Sequence, residues 1–178
     1  MNEDDYTALI TPIRHRMVNC IWRIVANADD TEDVLQEVLI SIVRRFEKIR
    51  AHENPTALIL RMCINHALDH ARRRRVVLVA IEDAPGKALV HDAPAPATLL
   101  IRQQERAAVL EALCRLPRRE AEAVQLVAVE DQPYRDAAQA MHCRESTVRV
   151  LITKARRRLR AMLLEGRNAS GERTGTAS

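Results

Sequence analysis

Apolar residues in the first stretch of the chain return at steps of three and four. Ile10, Ile13, Met17, Ile21 and Ile24 therefore share one stripe of a helix over about Tyr6–Asn27. The polar "NADD" ends it. Asp30 is placed to cap the next helix, because its carboxylate can accept from unpaired N–H groups of the first turn. Val34, Leu35, Val38, Ile42 and Phe46 then give a helix over about Thr31–Phe46 its buried face. "KIRAHENPT" reads as a loop, and Pro55 suits the first turn of a third helix running to the basic block Arg72–Arg75.

From about Val76 to Ala97 the period fails, and Pro85, Pro94 and Pro96 fall close together, as in an extended linker. Helical periodicity resumes near Leu99 and ends at Leu116. Pro117 opens another helix carrying Val124 and Val127, and "EDQP" stops it. A short helix over Pro133–Met141, a turn "HCR" and a longer basic helix follow, and the polar tail is expected to be disordered. Four glycines and a 2% aromatic content leave a core of aliphatic residues, alanine and methionine. The expected fold is all-α: two small helical domains joined by a flexible linker, the second containing a helix-turn-helix. The boundaries are 1–75, linker 76–98, 99–165 and tail 166–178.

The segment "TVRVLITKARRRLR" shows what the second half is for. At about 100° per residue, Val148, Ile152, Ala155 and Leu159 form one stripe, with Leu151 at its edge. The other side presents Arg149, Val150, Thr153, Lys154 and Arg157. Arginine and lysine donate to guanine edges or phosphates, and Val150 and Thr153 can pack on a thymine methyl. Arg144, Ser146 and Thr147 stand at the helix start, where hydroxyls and unpaired N–H groups suit phosphate, and Arg156–Arg160 would hold the DNA backbone. A solvated amphipathic helix would explain the charge alone. The preceding short helix, with the small residues Ala137, Ala138 and Ala140, adds the geometry that DNA readers need.

This half resembles the promoter-binding domain of bacterial sigma factors of the extracytoplasmic-function type. The resemblance rests on Leu116-Pro117, Tyr134, Ala138, Cys143, Thr147-Val148-Arg149 and Ala155-Arg156 at the family's spacing. The first half agrees. "DDTEDVLQEVLISIVRRF" is similar to the helix that grips core RNA polymerase, with Asp30, Glu32, Asp33, Gln36 and Glu37 matching. An acidic, amide-bearing face of this kind complements a basic coiled coil. "NPTALILRMCINHALDHARRRR" is similar to the segment facing the minus-ten promoter element, with Asn54, Arg61, Asn65, Asp69 and Arg72 matching and Arg73 beside them. Arg61, Asn65 and Asp69 lie four apart and share a helix face, and Asp69 can also pair with Arg72 or Arg73. The family's loop before this helix holds a flipped promoter base, which makes Asn54 the hydrogen-bonding candidate here.

The resemblance implies a sigma factor with core RNA polymerase, promoter DNA and an anti-sigma protein as partners. Two other readings use the same residues: a stand-alone helix-turn-helix regulator, or a sigma mimic that binds an anti-sigma protein without DNA. The chain departs from the family at four places. His142 replaces a turn glycine, which predicts a strained or reshaped turn. Leu151 replaces a common arginine, which removes one DNA contact. Leu58 and Val43 replace aromatics that would stack unpaired bases. Their loss predicts a stringent promoter requirement with weak intrinsic melting. Efficient open-complex formation on promoters with altered minus-ten sequences would contradict that expectation.

Composition removes other classes. Lys and Arg number 28 against 24 acidic residues, a net +4 concentrated in blocks, so surfaces of opposite sign are expected to meet different partners. Cys20, Cys63, Cys114 and Cys143 are scattered without metal spacing and read as reduced thiols; no metal and no cofactor is expected. No nucleophile–base pair or glycine-rich phosphate loop is recognisable, so neither an enzyme nor a small-molecule substrate is expected. The acidic start lacks the apolar core of a secretion signal, and no apolar run reaches the ~20 residues of a membrane span, which predicts a cytoplasmic protein without membrane insertion.

Overall fold

The computed structural model describes the backbone of residues 3–82 and 97–173, and the side chains of 4–75 and 105–165. Nine α-helices appear among the described residues, in the order α1 Glu3–Ile10, α2 Arg14–Val25, α3 Ala28–Arg44, α4 Phe46–Arg50, α5 Pro55–Glu82, α6 Ala97–Arg115, α7 Arg118–Val124, α8 Tyr134–Ala140 and α9 Glu145–Arg173. The described residues contain no strand. The first domain packs α2, α3 and α5 on one another, and the second closes α6, α7 and α8 around the N-terminal half of α9.

Local chemistry explains where the helices break. The stripe that predicted one helix to Asn27 is interrupted by a 3-10 turn at Thr11–Ile13, because Pro12 has no N–H to donate. Ala26, at φ 59°, ends α2 in the left-handed conformation and donates its N–H to the Trp22 carbonyl. The cap of α3 is Asn27, whose Oδ1 accepts from the Asp30 N–H at 3.0 Å. Asp30 was the expected cap, but it lies inside the helix and its carboxylate is left to make ion pairs. Part of the expected loop after Phe46 is the short helix α4. Asn54 caps α5, its Oδ1 accepting from the Ala57 N–H at 3.0 Å. After α7 the chain loosens into a π-helical turn at Gln125–Val129.

Two boundaries differ from the expectation. Helix α5 continues past Arg75 to Glu82, because amphipathic periodicity fades before anything breaks the backbone; the first breaker is Pro85. Helix α9 continues to Arg173, well into the expected tail, since a helix nucleated in a packed domain extends at one hydrogen bond per added residue. The rest of the expected linker, 83–96, and the end of the tail lie outside the described residues.

The predicted stripes are the core. Met17, Ile21, Val34, Leu35, Val38 and Ile42 are fully buried, as are Val148 and Ala155, with Ile152 nearly so. One continuous buried cluster joins residues of both domains. Burial pushes the thiols of Cys20 and Cys63 well up from their ordinary range, so both behave as small core residues. Among the described residues, no helix is long and apolar enough to cross a membrane, and no group of three or more His, Cys, Asp or Glu could hold a metal ion.

Candidate functional site

Three surfaces carry the residues singled out by sequence. The first is the outer face of α3. Its inner face is consumed by Val34, Leu35, Val38 and Ile42, which turns Glu32, Asp33, Gln36 and Glu37 outward. Glu32, Asp33 and Gln36 make no side-chain hydrogen bond or ion pair among the described residues. Glu37 lies 3.3 Å from His66 Nδ1 and 3.8 Å from Arg73. Asp30 sits apart from them: it is half-buried, paired with Arg74, and 3.5 Å from His70. The same face continues into Ile40 and Val43, at 52% and 45% exposure. Sequence reasoning did not single out Ile40. The signal was an isoleucine just outside the core stripe of an otherwise regular helix.

The second surface is the C-terminal recognition helix. Val148, Ile152 and Ala155 lock α9 to its domain, with Leu151 and Leu159 partly buried beside them. Leu151 therefore belongs to the packed edge, which accounts for an aliphatic residue there. Arg144, Ser146, Thr147, Arg149, Val150, Thr153, Lys154 and Arg157 are all exposed on one side, as the wheel requires. The Arg149 guanidinium lies 4.4 Å from the centroid of the Tyr134 ring, and Glu145 Oε2 is 3.9 Å from its Nη2. An aromatic face and a carboxylate thus hold that arginine in place. The Thr153 hydroxyl donates to the Arg149 carbonyl at 2.9 Å, so the hydroxyl is satisfied by its own helix. One member of the arginine run is not available to phosphate: Arg158 Nε is 3.6 Å from the buried carboxylate of Glu120, an ionic contact rather than a hydrogen bond. His142 takes φ 50°, the left-handed conformation that glycine adopts without penalty, so the predicted strain of the turn is present.

The third surface is the strip Arg61, Asn65, Asp69 and Arg72 on α5, which shares one face as predicted. In this structure that face is turned onto the second domain. Arg61 Nε donates to Glu122 Oε2 at 3.0 Å, and its Nη1 donates to the Ala140 carbonyl at 2.8 Å. Arg72 donates to the carbonyls of Cys114 and Leu116 at 3.0 and 3.1 Å. Asp69 lies between Arg72 at 3.6 Å and Arg118 at 3.4 Å. Asn65 Oδ1 is buried without a partner. Arg73 lies off this strip and is exposed. The amide oxygen of Asn54 is committed to capping α5, which leaves only its NH₂ group to meet a base.

Comparison with known proteins agrees with this organisation. The descriptions "Sigma-70 region 2" and "Sigma-70, region 4" match residues 9–76 and 106–159. RNA polymerase sigma-H factor of Pseudomonas aeruginosa is 30% identical over 158 residues, covering 85% of this chain and 82% of that protein. The chain belongs to the sigma-70 family. The ECF RNA polymerase sigma factor EcfG of Rhodopseudomonas palustris is 28% identical over 163 residues, covering 90% of this chain and 83% of its own. The fold is shared with the sigma factor RpoE of Bartonella quintana, solved with the anti-sigma factor NepR, at a TM-score of 0.53 and 21% identity over 89% of this chain and 96% of that one. It is also shared with CnrH, solved with the cytosolic domain of CnrY, at a TM-score of 0.57 and 19% identity over 91% and 89%. The protein is a sigma factor of the extracytoplasmic-function type that directs promoter-specific initiation by RNA polymerase. Sigma factors of this family are not enzymes, so the chemistry of transcription lies in the polymerase.

Proposed function

We propose that the three surfaces divide the work of initiation. The outer face of α3 (Glu32, Asp33, Gln36 and Glu37, with the apolar Ile40 and Val43) docks on core RNA polymerase. The α5 strip with Asn54 and Arg73 reads the minus-ten element, and the α9 face reads the minus-thirty-five element. Residues 1–75 and 99–165 are the two working domains, and the chain between them sets the spacing of the two DNA elements. The observation that carries this reading is the α9 face: Arg149, Val150, Thr153, Lys154 and Arg157 are exposed together on a helix whose opposite stripe is buried in its own domain. Within the described residues its side chains make only the Tyr134 and Glu145 contacts that orient Arg149 and the bond of the Thr153 hydroxyl to the Arg149 carbonyl.

The α3 face supports the polymerase assignment because acidic and amide groups beside exposed aliphatics suit a basic helical partner better than DNA. An anti-sigma protein is a further partner in this reading, by analogy with the Bartonella complex. The protein works in the cytoplasm, where polymerase and promoter are. Run-off transcription with core polymerase tests the reading. Promoter-specific initiation is the expected result. Absence of initiation on every host promoter would instead indicate a mimic, and tight duplex binding without core would indicate a stand-alone regulator.

Tyr134 acts here as a positioning residue. A cation–π contact of this kind is worth about 0.5–2 kcal/mol. Tyr134→Ala is therefore expected to lower discrimination at one minus-thirty-five base pair by roughly 2- to 30-fold, with Tyr134→Phe retaining it. Transcription from a set of single-base promoter variants measures this. A uniform loss across all variants would mean that Tyr134 only supports the fold.

A further inference from the structure

Three side chains line up across the seam between α3 and α5. The Ser41 hydroxyl lies 3.3 Å from His66 Nε2, and His66 Nδ1 lies 3.3 Å from Glu37 Oε2. Glu37 and Ser41 stand one turn apart on α3, and His66 reaches them from α5. A hydroxyl, an imidazole and a carboxylate in this order are the groups that make a serine nucleophilic. We propose that Ser41 is an acceptor for the acyl group of small acyl phosphates, with His66 as its base and Glu37 holding the imidazole in place.

The geometry gives each group its role. With Glu37 accepting from Nδ1–H, the lone pair of His66 stands on Nε2 and faces the Ser41 hydroxyl. Among the described residues the Ser41 hydroxyl makes no other hydrogen bond. The Thr153 hydroxyl, by contrast, turns back onto its own helix. Ser41 is half-buried and the His66 side chain is 31% exposed, so a small donor can reach both. Arg73 selects the donor. It lies 3.8 Å from the same carboxylate oxygen of Glu37, about two turns along α5 from His66, and its long side chain is 64% exposed. A guanidinium placed there can pair with the phosphate of an acyl phosphate while the carbonyl carbon meets Ser41.

The step is an acyl transfer. Ser41 Oγ attacks the carbonyl carbon, and its proton passes to His66 Nε2. The bond from that carbon to the phosphate oxygen breaks, phosphate leaves with the proton, and an ester remains on Ser41. The backbone N–H of Ser41 is engaged inside α3, so it does not help water to attack the ester. The reaction stops at one acyl group on Ser41, as expected of a chain that does not turn over a substrate. The ester stands beside Glu37, one residue from Ile40, and adds bulk to the face assigned to core polymerase. Acylation therefore weakens capture by polymerase. That consequence rests on the assignment of α3 to polymerase, whereas the acceptor chemistry does not.

The test exposes the full chain to acetyl phosphate and, as an uncharged comparison, to p-nitrophenyl acetate, and maps the adduct by peptide mass spectrometry. The expected result is one acetyl group on Ser41, released by hydroxylamine as an ester is. Its rate of formation is expected to rise with pH over the range, about 5 to 8, in which histidines lose a proton. His66→Ala should lose roughly 100-fold of that rate, with free imidazole restoring part of it. Glu37→Gln should be slow and flat against pH, because a carboxamide that donates to Nδ1 fixes the wrong tautomer. Arg73→Gln should slow the reaction with acetyl phosphate and spare that with the uncharged ester. Adducts confined to lysines and cysteines of the native chain overturn the proposal, and this outcome does not depend on the folding of any variant. An equal rate at Ser41 in His66→Ala, with an unchanged melting point, overturns it as well. Capture by core polymerase is measured on the same samples. Acetylation that leaves capture unchanged overturns the docking consequence. If the untreated chain is not captured either, the α3 assignment fails, and the Ser41 adduct still decides the acceptor.

Discussion

Replacing Glu32 and Asp33 together by lysine is expected to abolish capture by core RNA polymerase without unfolding the protein. Both side chains project outward from α3, and neither makes an ion pair among the described residues, so the fold loses little. Surface substitutions of this kind usually stay within about 0.5 kcal/mol. Binding loses far more. Two attractive charges become two repulsive ones against a basic partner, and like-charge juxtaposition across an interface costs several kcal/mol, which corresponds to roughly a thousandfold in affinity. Titration of labelled protein with core polymerase, alongside a thermal melt, separates the two effects. An unchanged affinity would show that α3 is not the docking face. A lowered melting point would show that the acidic face supports the first domain. Ile40→Glu provides an independent check of the same face, because it places a charge at an apolar contact.

Arg149→Ala and Lys154→Ala are expected to weaken transcription from promoters that depend on the minus-thirty-five element, leaving core binding intact. A well-formed contact to a base edge is worth about 1–3 kcal/mol, or roughly 5- to 150-fold. The two residues should differ in kind. Arg149 is held by Tyr134 and Glu145 in a defined pose, which suits base reading, so its loss should relax specificity at one position. Lys154 makes no hydrogen bond or ion pair among the described residues, and a flexible ammonium suits phosphate. Its loss should weaken these promoters alike, whatever the bases of their minus-thirty-five element, and reduce the salt dependence by about one counterion. Lost core binding in either variant would mean that α9 had been assigned to the wrong partner.

Much of this was legible along the chain because it depends on short-range spacing. The stripe of Val148, Ile152 and Ala155 is a matter of helical period, and the opposite polar face follows from it. The same holds for Val34, Leu35, Val38 and Ile42 against the acidic face of α3. The caps were only half legible. Asn27 and Asp30 are both good capping residues, and the choice between them depended on where the chain enters from α2, through the left-handed Ala26. The ends of α5 and α9 lie beyond the amphipathic pattern, because loss of that pattern is not loss of helix. A backbone without proline continues to make its own hydrogen bonds after the side chains stop facing a core.

By itself, the sequence determined that the protein is helical, that it has two domains, and which face of each helix is polar. Those properties follow from periodicity and from residue types a few positions apart. Only the tertiary structure decided what the polar faces meet. Arg61 finds Glu122 sixty-one positions away, and Arg72 finds carbonyls at the end of α6, contacts with no local signature in either segment. An arginine on a helix face looks the same in sequence whether it awaits DNA or holds another helix end. The difference lies in the approach of a second surface, and that approach is set by the packing of both domains around one continuous core.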